Sequence, residues 1–138
     1  MSGLRRFSIS IEERLLKRLE QLVRKSRYAN RSEFLRDMLR ERLVEEQWKK
    51  DEEVVGTITL VYDHETRELS RKLTHLQHHH HGLVLATTHV HLDRHMCAEM
   101  VLTRGKARRI REMADLLRQQ KGVLHAGLSL SSTGKELG

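Results

Sequence analysis

Residues 6–11 alternate strictly, with Phe7, Ile9 and Ile11 on one side and Arg6, Ser8 and Ser10 on the other. This is the pattern of a short strand with one buried face. No second strand follows it. Apolar residues next recur at helical spacing, at Leu15, Leu16, Leu19, Leu22 and Val23, the stripe of an amphipathic helix. Ser10 and Glu13 have the spacing of a capping box at its start. Tyr28-Ala29-Asn30-Arg31 breaks the pattern. Asn30 or Ser32 can then cap a second helix, with Phe34, Leu35, Met38, Leu39 and Leu43 on its apolar side. A lone strand leaves its ladder groups unpaired, and about 45 residues bury too little surface to be stable alone. The physical solution is an obligate dimer, in which two copies of the strand pair and four helices interlock.

The rest of the chain has another rhythm. Residues 54–62 (VVGTITLVY) read as a strand and 65–76 as a helix with Leu69, Leu73 and Leu76 on one face. Residues 83–92 and 97–102 read as strands, with a turn expected at Arg104-Gly105. A helix over 106–119 turns Ala107, Ile110, Met113, Ala114 and Leu117 inward, and 122–130 closes the series as a strand. The order β-α-β-β-α-β is that of the ferredoxin-like fold. The fold class is therefore α+β, with expected domains at 1–48 and 54–131. The charged run KKDEE over 49–53 is expected as a linker or helix end, and the polar segment 132–138 as a loose tail.

Composition narrows the chemistry. The 138 residues include a single Cys, which excludes an internal disulfide framework and a zinc site built from several Cys. No apolar run approaches the roughly 18 residues of a membrane span. Charges run through the first 20 residues, so no signal peptide is expected. The expected compartment is the reducing cytoplasm, with no membrane partner.

The net charge of +7 suits a polyanionic partner. A two-stranded ribbon has a size that fits the major groove of DNA, and its outward face must then carry side chains that reach base edges. Here those are Arg6, Ser8 and Ser10. Arg can bond guanine through two parallel hydrogen bonds, and Ser reads bases less selectively. Arg5, Arg14 and the start of the second helix are placed to hold phosphates. The plainer reading, a solvated edge, is outweighed by the need of the strand for a partner and by the basic charge. Other charges on the two helices read as solvated faces, paired at helical spacing as in Glu20 with Arg24 and Asp37 with Arg40.

Of the ten His, most fall in one stretch, QHHHH over 77–81 followed by His89-Val90-His91 and then Cys97. His89 and His91 are two apart on an expected strand, so their side chains share a face. A hairpin returns Cys97 beside them. A fourth ligand is missing from this set, and the His run is its obvious source. Each piece alone is ordinary: a lone strand His is more often structural, and a buried Cys is a small hydrophobe. Their convergence within about 20 residues points to a metal site. Imidazoles with a thiolate exclude the hard ions Mg and Ca and leave Zn, Ni, Cu and Co. Glu99 reads as a hydrogen-bond partner of a ligand His, or as the general base of a metal-dependent hydrolase. The chain has no HExxH, GxSxG or phosphate-loop motif, so no enzyme is expected.

The segments FSISIEERLLKRLE, YANRSEFLRDMLR, VYDHETRELSRKL and QHHHHGLVLATTHVHLDRHMC resemble the NikR family of nickel-responsive transcriptional regulators over about residues 6–130. The resemblance implies a ribbon-helix-helix dimer joined to an ACT-like domain, assembled as a homotetramer that is a dimer of dimers. It implies one square-planar Ni(II) per subunit, held by His89, His91 and Cys97, with His78 of a neighbouring subunit as the fourth ligand. Arg6, Ser8 and Ser10 match the positions that enter the groove of a palindromic operator. Glu33 and Asp37 match positions that help hold a second cation between the two domains on DNA. The implied output is repression of nickel-uptake genes. The alternatives are the same architecture sensing another transition metal, and a nickel storage or delivery protein.

Overall fold

The computed structural model describes residues 3–138, so the first two residues of the expected 1–48 domain lie outside the described residues. The chain divides into two compact units, residues up to 43 with 136–138, and residues 44–135.

In the N-terminal unit, residues 3–12 form no regular element and are exposed apart from a half-buried Ile11. Among the described residues the expected strand 6–11 has no ladder. α1 (Glu13–Lys25) begins after Glu12, with no side-chain cap; Leu16 N–H closes the first turn on Glu12 C=O at 2.9 Å. The expected Ser10–Glu13 capping box is not formed, because the helix starts after Glu12 and leaves Ser10 two residues ahead of the N-cap position. At the other end Arg27 takes a left-handed conformation, and Tyr28 N–H reaches back to Val23 C=O, the usual way to satisfy final carbonyls. α2 (Arg31–Lys49) starts where expected: Asn30 Oδ1 accepts from Glu33 N–H at 3.0 Å. The ring of Tyr28 meets Phe34 edge-on at 5.3 Å, and its hydroxyl donates to Asp37. Asp37 also lies 3.5 Å from Arg40, whereas Glu20 faces Arg31 at 3.9 Å in place of the expected Arg24. Val23 and Phe34 are buried, but Leu15, Leu22, Met38 and Leu39 stay exposed.

The C-terminal unit opens inside a helix. The last turns of α2 bring Trp48 into its core, where the indole N–H donates to Ser131 C=O at 2.8 Å. The charged run 49–53 is a helix end and a strand start. Asp51, in a left-handed conformation, accepts from Arg108 N–H, and Glu52 C=O accepts from Ala107 N–H. β1 (Glu53–Asp63), β2 (Val84–His91), β3 (Met96–Lys106) and β4 (Val123–Leu130) form one antiparallel sheet in the order β2-β3-β1-β4. With α3 (Leu69–His79) and α4 (Ala107–Arg118) this is the expected βαββαβ arrangement.

Val54, Ile58, Leu60 and Tyr62 alternate into the core from β1 and meet Leu69 and Leu73 of α3 and Ile110, Met113 and Leu117 of α4. Each such side chain contributes about 1.5–3 kcal/mol by leaving water. Two glycines of this unit are required by packing. A Cβ on Gly56 would sit 2.9 Å from the Trp48 ring, and one on Gly105 would sit 2.4 Å from Leu83. Gly105 was expected to mark a turn; β3 instead runs through it, and the missing side chain makes room for Leu83. α3 starts later than the expected residue 65, because Asp63 Oδ1 and C=O accept from Glu65 and Thr66 N–H and hold this stretch as a turn. The helix then runs on into the His run. The stretch after Leu130 is tied down: Ser131 N–H bonds Val55 C=O, and Lys135 C=O accepts from Gln47.

Candidate metal centre

The β2–β3 hairpin sets the geometry. Its turn is closed by Asp93, whose Oδ1 accepts from His95 and Met96 N–H at 2.9 and 2.8 Å. These backbone donors hold its carboxyl below the usual carboxylate range. Beyond the turn the register pairs His91 with Cys97 and His89 with Glu99. Residues directly opposite across an antiparallel pair share a face, so His89, His91, Cys97 and Glu99 all point the same way. The His89 and His91 rings lie 5.4 Å apart. β2 is an edge strand, which leaves both imidazoles exposed, while Cys97 is fully buried beside β1. Its thiol faces Tyr62 C=O at 3.4 Å. Burial pushes the Cys97 thiol up from its ordinary value, so the thiolate here calls for a nearby positive charge.

Glu99 is buried and its carboxyl is pushed up by that burial. Gln77, on α3, bridges it to the edge strand: its amide N–H donates to Glu99 Oε2 at 3.2 Å, and its Oε1 accepts from the Thr87 hydroxyl at 2.8 Å. The His64 ring stands 5.1 Å from His91, edge-on, with Nδ1 at 2.7 Å from His95 C=O. Gln77, Thr87, Tyr62 and His64 were not singled out for this site from the sequence. Gln77 had a signal, since it is a polar residue on the apolar face of an amphipathic helix.

His78 lies elsewhere. It is exposed on α3, lining a cleft with His75, Arg71 and Glu68. His79 also lies on α3, and His80 and His81 form the turn after it. Among the described residues, the group of three or more whose ligand atoms all lie within 4.8 Å of one another is Asp63, Glu65 and His95. His89, His91 and Cys97 share a face but are not gathered that tightly in one chain, and His78 does not join them. Two imidazoles and a thiol on one hairpin face nonetheless suit a borderline divalent ion.

Arg6, Ser8 and Ser10 are exposed, as a reading face requires. Glu33 lies 3.8 Å from Arg36, and Asp37 is held by Tyr28 and Arg40. No helix among the described residues is long and apolar enough to cross a membrane.

An exposed alternating segment and a helix pair precede a ferredoxin-like unit that carries an imidazole–thiol hairpin. Residues 5–46 match the family described as "Ribbon-helix-helix protein, copG family", and residues 55–131 match "NikR C terminal nickel binding domain". The chain is 51% identical to a protein of Geobacter sulfurreducens over 96% of both chains, and 50% identical to one of Geotalea uraniireducens over the same shares. A protein of Caldanaerobacter subterraneus is 45% identical over 99% of this chain and 90% of its own. All three are provisionally named nickel-responsive regulators. The fold also resembles the structure of an uncharacterized protein from Thermotoga maritima, with a TM-score of 0.52 and 16% identity, over 57% of this chain and 98% of the other. The chain belongs to the NikR family of nickel-responsive regulators, a family of transcriptional regulators and not of enzymes.

Proposed function

We propose that this protein represses nickel-uptake genes in the cytoplasm by binding a palindromic operator when nickel is present. In this reading one Ni(II) per subunit is held by His89, His91 and Cys97 together with His78 of the partner subunit. The protein is a homotetramer, a dimer of dimers, and paired strands carry Arg6, Ser8 and Ser10 into the major groove. Glu33 and Asp37 hold a second cation after releasing their present partners.

The observation that carries the reading is the hairpin register, His91 opposite Cys97 and His89 opposite Glu99. It sets three soft or borderline donors on one face, backed by Gln77 and Glu99. Three donors leave a position open, and an exposed edge strand lets a second subunit fill it. A site completed by two subunits is occupied only when those subunits are correctly apposed. Nickel then biases that arrangement, and by reciprocity operator DNA tightens nickel. Couplings of this kind are typically about 1–3 kcal/mol, or roughly 5–150-fold in affinity.

The test is a gel shift on DNA upstream of the neighbouring genes, with Ni(II), Zn(II), Cu(II) and Co(II) compared. Nickel should tighten binding of the wild-type chain at least about fivefold and leave Cys97→Ala unchanged. Equal affinities with nickel, without it and in Cys97→Ala would end the switch reading. Arg6→Ala should lose operator binding and keep nickel; loss of both would show misfolding instead.

A further inference from the structure

The His run and the hairpin do not account for His75. It stands one helical turn before His79 on α3, and their Nε2 atoms lie 3.0 Å apart, with ring centroids at 4.4 Å and ring planes at 85°. Residues four apart on a helix project from the same side, and both of these are exposed. We propose that His75 and His79 form a second metal site, an exposed two-imidazole clamp for a borderline divalent ion such as Zn(II), Cu(II) or Ni(II).

The distance carries the argument. Two metal–nitrogen bonds of about 2.0–2.1 Å, meeting at a right angle or a tetrahedral angle, place their nitrogens about 2.9–3.4 Å apart. The observed separation falls inside that span. At present one ring must donate its N–H to the other, so the two Nε2 atoms point at each other, and small turns of the two exposed rings bring both lone pairs onto one point beside the N···N line. A metal ion replaces this hydrogen bond, sitting to one side of the N···N line, when both rings carry their hydrogen on Nδ1. This is a change of tautomer in one ring, with no net proton gained or lost. Imidazole nitrogen selects against Mg and Ca, which take oxygen. Only two protein ligands are supplied and the site faces solvent, so water completes the coordination and binding is weak. Occupancy closes a chelate across the final turn of α3, the turn that also bears His78.

The clamp shares no ligand with the hairpin, so it can be tested without it. In a Cys97→Ala chain, Zn(II) is added while the imidazole nitrogens are followed by NMR. The Nε2 resonances of His75 and His79 should move together along one saturation curve. In Cys97→Ala/His75→Ala, His79 should need at least tenfold more zinc. Unchanged circular dichroism without metal will show that the exposed substitution leaves the fold intact. If His79 responds at the same zinc concentration with and without His75, or if Nδ1 responds in place of Nε2, the clamp does not exist. With Cys97 present, His75→Ala should remove one weak nickel equivalent and leave the tight one. Loss of the tight equivalent would assign His75 to the principal site and overturn a separate clamp.

Discussion

Two segments of this chain alternate in the same way and end in opposite surroundings. In β1, Ile58 and Leu60 are completely buried; in the segment 6–11, Phe7 is 79% and Ile9 57% exposed. β1 has β3 on one side and β4 on the other, with α3 and α4 over its apolar face. Among the described residues, segment 6–11 has no ladder, and of its apolar face only Ile11 is half-buried. Alternation states that a face needs covering; it does not state which molecule supplies the cover. The C-terminal unit closes its own core, whereas the N-terminal unit leaves apolar side chains exposed, the face that the pairing proposed above would cover.

That contrast can be broken at either end. Phe7→Glu should have the largest effect, because both copies in a pair change at once. At about 1.5–3 kcal/mol per buried Phe, sedimentation should show the paired N-terminal units separating at concentrations where the wild type stays associated. An unchanged association curve would mean that Phe7 is not covered by a second copy. Next is Ile110→Ala, which opens a cavity in a core that needs no partner. It should cost about 2–5 kcal/mol in urea unfolding, and the loss should not depend on protein concentration. Asn30→Ala sharpens the comparison most gently. Removing the acceptor for Glu33 N–H should cost about 1 kcal/mol, read as a small drop in the thermal midpoint with nickel binding intact.

The parts that were legible from the sequence share a cause. On α4 the five residues expected inward, Ala107, Ile110, Met113, Ala114 and Leu117, are the five that are buried, since a helix packed on one sheet face has only one apolar stripe. His89 and His91 share a face because strand periodicity is fixed by the pleat. Other features were hidden because they depend on contacts distant in sequence. Gly105 looks like a turn until Leu83 is placed against it. Trp48 closes an apparently N-terminal helix but packs with the C-terminal core. Gln77 reads as the edge of a His run, yet its amide bridges Glu99 and Thr87 on neighbouring strands. The late start of α3 has a local cause instead, one side-chain and one backbone bond accepted by Asp63 in competition with the helix.

The sequence by itself determined the order of elements from α1 onward, the faces that had to be buried, and a donor set of imidazoles and a thiol. These follow from local periodicity and side-chain chemistry, which every copy of the chain carries whatever its surroundings. Only the tertiary structure decided that Glu99 sits opposite His89, that Gln77 spans Glu99 and Thr87, and that His78 lines an exposed cleft on α3. Those are matters of register and helix placement, set by which packing of the whole sheet and its helices leaves the fewest voids and unpaired groups.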